Sequence, residues 1–203
     1  MQLGLKGHRV AILATDGVEQ VELEKPRKAL DDAGAITQLV SLEAGTIQAF
    51  NHLDKGDKIE VDVTLDEAQA SQFDALFIPG GVANPDALRT DERAVQFVRE
   101  FMVGDKPVAA ICHAPWMLVE ADAVAGRTLT SWPSLQTDIR NARGDWVDRE
   151  VVVDDKLITS RKPDDIPAFN EAMVREFANR LEEAKLDEVS EQSFPASDPP
   201  PGP

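Results

Sequence analysis

Val108-Ala109-Ala110-Ile111-Cys112-His113-Ala114-Pro115 reads as a short apolar strand that ends on a thiol, with a helix beginning at once. The pattern puts Cys112, the only cysteine in the chain, at a sharp strand-to-helix turn. Unpaired backbone N–H groups and a helix dipole at such a place favour thiolate over thiol. A turn of this kind needs strained backbone to present its side chain, which simple packing does not demand. Cys112 is therefore expected to be an accessible, reactive nucleophile, whereas a lone cytosolic cysteine elsewhere reads first as a small buried hydrophobe.

The same strand-then-helix rhythm extends in both directions. Arg9 to Ala14 is a continuous apolar strand of the kind that a parallel sheet covered on both faces requires. Glu22 to Ala33 carries helical spacing through Leu23, Pro26, Leu30 and Ala33, and Gly34 stops it. Ile36 to Ser41 reads as a second strand. Thr46 to Leu65 holds Asp-Lys-Gly-Asp-Lys between two semi-apolar runs, which predicts a hairpin excursion. A short helix over Asp66 to Gln72 and a strand over Asp74 to Ile78 follow, closed by Pro79-Gly80-Gly81. Asp91 caps a helix with Val95, Val98, Phe101 and Met102 on one face.

Beyond the thiol, helices are expected from about His113 to Ala123 and from Ser134 to Ala142, then paired strands Glu150 to Val153 and Lys156 to Thr159. A last helix spans about Pro167 to Glu183. This alternation argues for an α/β sandwich around a mostly parallel sheet with right-handed crossovers. Residues 1–185 read as one domain. Residues 186–203, with five prolines, four acids and no Lys or Arg, read as an extended or disordered acidic tail.

Composition excludes several classes. The 203 residues carry a formal net charge of −16, and no Lys/Arg cluster offers a nucleic-acid surface. No apolar run approaches a membrane span, and Val10 to Ala14 is too short for the core of a signal peptide. One cysteine forbids an internal disulfide and suits a reducing cytoplasm. His8, His52, His113 and Cys112 lack metal-site spacing, and the glycines match neither a dinucleotide fingerprint nor a phosphate loop. No cofactor is expected. No histidine follows His113, so a glutamine amidotransferase with a histidine from its C-terminal half is unlike this chain.

Several segments taken together are similar to the PfpI family of intracellular cysteine peptidase-like proteins, in the superfamily of the Parkinsonism-associated deglycase. They are Ile111 to Pro115, the run Phe73 to Gly81, Asp16-Gly17-Val18-Glu19-Gln20-Val21-Glu22 before a Pro26-bearing helix, Glu150 to Asp154, and Thr159 to Asp165. The match runs in order from about Arg9 to Leu181. Ala114 stands where the family commonly has Gly, and Asn141-Ala142-Arg143-Gly144 departs from its usual Asn-Ala-Gly.

The resemblance implies a flavodoxin-like three-layer sandwich with Cys112 on a nucleophile elbow. It also implies a homodimer, or a hexamer built from dimers. Glu22 would hydrogen-bond the sulfur, the backbone N–H groups of Gly81 and His113 would form an oxyanion hole, and Asp86 would reach a neighbouring subunit's histidine. A carboxyl beside a thiolate should have a raised pKa, so that a protonated Glu22 donates to sulfur and later passes its proton on. Glu19 in the same loop reads as solvated or structural. Adjacent side chains on a helix diverge, so the ring of His113 need not touch Cys112; ring and backbone roles both stay open.

The activity implied is glyoxalase III or deglycase chemistry on reactive carbonyls, with small carbonyls or glycated proteins as substrates. Peptide or amide hydrolysis is one alternative. Another is an oxidative-stress sensor or holdase in which Cys112 is oxidised.

Overall fold

The structure, a computed structural model, describes residues 4–192, with side chains through Glu183. The chain order is β1 (Arg9–Leu13), α1 (Gln20–Asp32), β2 (Ile36–Ser41), β3 (Thr46–Asn51), β4 (Asp54–Glu60), β5 (Val63–Thr64), β6 (Ala75–Ile78), α2 (Ala83–Leu88), α3 (Glu92–Val103), β7 (Val108–Ile111) and α4 (Pro115–Glu120). It continues with β8 (Thr128–Leu129), α5 (Gln136–Asn141), β9 (Asp145–Trp146), β10 (Val151–Asp154), β11 (Leu157–Ser160) and α6 (Ile166–Gln192). Seven strands form one sheet in the order β10-β11-β7-β6-β1-β2-β5, and only β10 runs antiparallel to its neighbour.

Strand alternation explains why helices must cover both faces. Ala11, Leu13, Leu76 and Ile78 point into one core, with Phe97, Phe101, Met117 and Leu118. Val10, Ile12, Ala75 and Phe77 point into the other, with Leu23, Leu30, Phe169 and Phe177. Residues two apart share a face, so an unbroken apolar run feeds two cores at once. The result is the three-layer, flavodoxin-like α/β architecture expected. Among the described residues no helix is long and apolar enough to cross a membrane.

Asp91 caps α3 as read, accepting from the Arg93 and Ala94 amides. Asp91→Ala should lower stability by about 1 kcal/mol, seen as a lower urea midpoint with an unchanged slope.

Several boundaries differ from expectation. The hairpin is present, but Asp54–Lys58 lies within β4, and the turn is His52-Leu53, with Asn51 paired to Asp54 and His52 at φ 59°. The stretch 66–72 is not a helix: Gln69 is extended, leaving only a 3₁₀ turn over Ala70–Gln72. The helix after the thiol begins at Pro115 rather than His113, because Cys112 is left-handed and proline's fixed φ suits the first helical turn. Pro133–Leu135 is a 3₁₀ turn that precedes α5. The β10–β11 turn falls on Asp155-Lys156, one residue later than read, with Asp155 at φ 54°.

α6 continues to Gln192, through the first part of the expected tail. The tail's prolines all lie at 195 and beyond, so composition averaged from 186 concealed helix-compatible residues. The rest of the tail, 193–203, lies outside the described residues.

Candidate active site

β1, β6 and β7 end side by side, and the loops leaving their carboxyl ends form the site, where open parallel sheets place ligands. Cys112 follows β7 directly with φ 64°, a region uncommon for any residue with a side chain. The turn is pinned from both sides. Cys112 N–H donates to the Ser160 carbonyl at 3.0 Å, and its own carbonyl accepts from Trp132 N–H at 2.8 Å. Holding such a conformation costs about 1–3 kcal/mol, which these bonds and the packed sheet offset.

Glu22, in the first turn of α1, is fully buried. Its closeness to the thiol is set by Gly80. A Cβ there would lie 2.3 Å from Glu22 Oε2, 2.6 Å from Cys112 Cβ and 2.8 Å from the Ile111 carbonyl. Carboxyl and thiol-bearing carbon thus flank one point that only hydrogen can occupy. Gly80→Ala should therefore cost about 2–3 kcal/mol of stability, read as a depressed melting temperature, and should push the two groups apart.

Neither Glu22 oxygen makes a hydrogen bond of normal geometry. A bare buried carboxylate would be prohibitively costly, so the group keeps its proton. Burial pushes its pKa up to about 8; the thiol and the Gly81 and Gly80 amides offset part of this, and nearby Glu19 adds to it. The Cys112 thiol is also pushed above its ordinary range, first by burial and then by negative charge on Glu22, against the pull of the Gly81 and His113 amides.

The thiolate expected from the elbow is therefore not the resting form. Cys112 is 6 % exposed, and α4 starts three positions later and spans only six residues, so its dipole is weak where desolvation is strong. The sulfur still opens onto a cavity, which Cys112 lines together with Glu22, His113 and Gly81. Thiol and carboxyl titrate as a pair, because ionising one opposes ionising the other.

His113 departs most from the reading of adjacent residues. Its Nδ1 lies 3.2 Å from Cys112 Sγ. Divergence of neighbours presumes helical backbone at both, and Cys112 is left-handed, so the two side chains converge. The ring stacks on Trp132, with centroids 5.7 Å apart at 23°, and tilts against Trp116. Burial lowers its pKa to about 4, so the imidazole is neutral. With Nε2 3.5 Å from Ser134 Oγ, a proton on Nε2 leaves the Nδ1 lone pair free to accept from the thiol.

Asp86 sits exposed in the first turn of α2, and no hydrogen bond links it to His113 within the chain. Ser134 occupies the outer side of the ring. Gly81 adopts φ 86° against the Gly17–Glu19 loop, where a Cβ would meet the Gly17 carbonyl at 2.4 Å. Among the described residues no group of three or more His, Cys, Asp and Glu side chains is placed to hold a metal ion.

Local pattern assigned no role to Asn84, Trp132 or Ser134, which help to build the site. Buried Asn84 accepts from Thr15 N–H at 2.8 Å and donates to the Pro79 carbonyl at 2.9 Å, tying the β1 loop to the Gly80-Gly81 turn. Trp132 and Ser134 brace His113. Glu19 proves structural: its Oε2 accepts from His52 N–H at 3.0 Å, latching the β3–β4 turn over the site. Only the Asn84-Pro85 pair, an unusual polar helix start, offered a sequence signal.

A model of the DJ-1/PfpI family matches residues 8–176. General stress protein 18 of Bacillus subtilis (strain 168) is 44% identical over 165 residues, covering 81% of this chain and 94% of that protein. Protein/nucleic acid deglycase 2 of Escherichia coli (strain K12) is 42% identical over 170 residues, covering 82% and 96%. The crystal structure of Drosophila melanogaster DJ-1beta superposes with a TM-score of 0.74 at 27% identity, covering 88% of this chain and 97% of that one. Extended over most of both chains and carried by sequence as well as backbone, this likeness shows that the chain belongs to the DJ-1/PfpI family.

Proposed function

We propose that this chain is a cofactor-free thiol enzyme that converts α-oxoaldehydes to hydroxy acids, and by the same chemistry acts on their adducts. The observation that carries the reading is a thiol held 3.2 Å from a neutral imidazole nitrogen while a fully buried carboxyl lies across Gly80. A relative named a deglycase and one named a stress protein support it.

The thiol passes its proton to His113 Nδ1 as sulfur attacks the aldehyde carbon, forming a C–S bond and a hemithioacetal. The Gly81 and His113 amides face the developing oxyanion. Glu22, as carboxylate in the turnover form, takes the proton from that carbon and returns it to the neighbouring carbonyl carbon, while the proton held on His113 passes to the oxygen of that carbonyl, leaving a hydroxy thioester. Water then cleaves the thioester, releasing the hydroxy acid and restoring the thiol. The aldehyde carbon is oxidised and the ketone carbon reduced within one molecule, so electrons balance without a redox partner.

A cytoplasmic homodimer, or a hexamer of dimers, completes the proposal, with Asp86 acting only across a subunit boundary. Residues 1–185 would form the catalytic unit. The buried, high-pKa thiol weakens the oxidant-sensor alternative, since oxidation follows thiolate character and exposure. Amide hydrolysis draws some support from the imidazole contact.

Purified protein incubated with methylglyoxal, without added thiol or cofactor, should yield lactate detectable by proton NMR. No lactate above the buffer rate overturns the proposal. Cleavage of a fluorogenic peptide by such a preparation would then favour hydrolysis.

A further inference from the structure

The cavity over Cys112 has a volume of about 430 Å³, in the range of sites that enclose organic ligands considerably larger than a three-carbon oxoaldehyde. Its rim is apolar, formed by Phe50, Leu53, Val82, Ala83, Trp132 and Pro163. Three of these are large hydrophobic side chains left in solvent: Leu53 is 95% exposed, Val82 58% and Trp132 37%. Their convergence on one opening is unlike the single scattered exposure normal for a protein surface. Among the described residues, no lysine or arginine lines the cavity, whereas Glu19 and Glu22 do.

The rim is preformed. The turn carrying Leu53 is held by His52 N–H on Glu19, Phe50 N–H donates to the Val18 carbonyl at 2.8 Å, and Gly17 N–H donates to the Gln48 carbonyl at 2.9 Å. Trp132 is fixed by its stack on His113 and by its N–H on the Cys112 carbonyl. An aromatic surface therefore stands beside the imidazole that touches the sulfur, at no ordering cost on binding.

We propose that this rim selects neutral oxoaldehydes bearing an aryl or bulky alkyl group and rejects those bearing a carboxylate. The proposal rests on the thiol chemistry above and names its substrate class. An aryl group buries apolar area against Leu53, Val82 and Trp132 while the aldehyde carbon reaches Cys112. A carboxylate on that group would enter a cleft lined, among the described residues, by no lysine or arginine, where the His52 imidazole already lies 4.0 Å from Glu19, and it would face that carboxylate as it left water. For phenylglyoxal the balance is C₆H₅COCHO plus water giving mandelate, with the electron transfer internal to the substrate.

The test compares kcat/KM for phenylglyoxal, para-carboxyphenylglyoxal and methylglyoxal. Phenylglyoxal should exceed methylglyoxal by about tenfold or more, and should exceed its carboxylated analogue by about tenfold or more. Leu53→Arg should narrow the second ratio by supplying the missing counter-charge. Binding is read separately in the Cys112→Ser protein, which turns nothing over, from tryptophan fluorescence. Acetophenone should bind about tenfold or more tightly than para-acetylbenzoate.

If no oxoaldehyde reacts yet the binding order holds, the thiol chemistry fails and the rim's selectivity stands. Equal binding of the two ketones overturns the selectivity, whatever the turnover. So does a Leu53→Arg protein with a changed sedimentation coefficient and unchanged ratios, since the rim would then serve contact between copies of the chain.

Discussion

Cys112→Ser should remove lactate formation from methylglyoxal, lowering kcat/KM by about four orders of magnitude or more, with the fold unchanged. The argument concerns what the neighbouring groups can and cannot do. An alcohol gives up its proton far less readily than a thiol, and the groups flanking position 112 are poorly placed to take it in the resting form: His113 has a pKa of about 4 and Glu22 stays protonated to about pH 8. A serine oxygen is also shorter-bonded, so it withdraws from the aldehyde position set by the Gly81 and His113 amides. The hemiacetal it could form would lead to an ester, a poorer acyl donor to water than a thioester. Stability should change little, because the left-handed backbone at 112 and its bonds to Ser160 and Trp132 remain. Proton NMR of the product, with a thermal melt of the same sample, checks both halves. Residual turnover above about one per cent of the parent rate would mean that sulfur is not the nucleophile.

The fold was legible wherever burial itself wrote the pattern. β1, β6 and β7 carry unbroken apolar runs because each side chain faces one of two cores, and these three strands hold the loops of the site. Cys112 and Gly80-Gly81 were legible because each sits where a strand visibly ends. The partnership of Glu22 with the thiol came only from family resemblance, since ninety residues separate them and local spacing is silent about distance. The protonation state was misread because the amides near a thiol are evident in sequence, while the depth of its burial is not.

The ring of His113 shows a second kind of limit. Whether neighbours at 112 and 113 meet depends on one φ angle, and that angle follows from the strand junction, not from the identity of either residue. The hairpin turn failed similarly. Asp54 to Lys58 has turn-like composition, yet Phe50, His52 and Gln48 are fixed by Val18, Glu19 and Gly17 of a distant loop, and those contacts place the turn at His52-Leu53. Tertiary contact overrode local propensity.

Glu22→Gln should cut turnover by about 10²- to 10⁴-fold, the usual worth of a positioned proton shuttle, and should change how stability responds to pH. The folded-state pKa of Glu22 is raised from 4.5 to about 8, chiefly by burial. Between those values the folded chain holds a proton that the unfolded chain has released, so this group makes the protein less stable as pH rises, by up to about 1.4 kcal/mol per unit. His113 acts oppositely: its pKa is lowered from 6.5 to about 4, so its contribution is lost as pH falls through that window. The two slopes oppose one another below about pH 6.5, and from there to pH 8 only the decline due to Glu22 remains. Glutamine cannot ionise. Whatever fixed cost its amide carries among the same unsatisfied contacts, the stability of the variant relative to the parent should rise steadily from pH 5 to pH 8 and level off above it. Urea midpoints across that range measure the difference. A gap between the two proteins that stays constant from pH 5 to pH 8.5 would show the carboxyl to be already ionised in the folded state across that range, and the raised pKa assigned to Glu22 would be wrong.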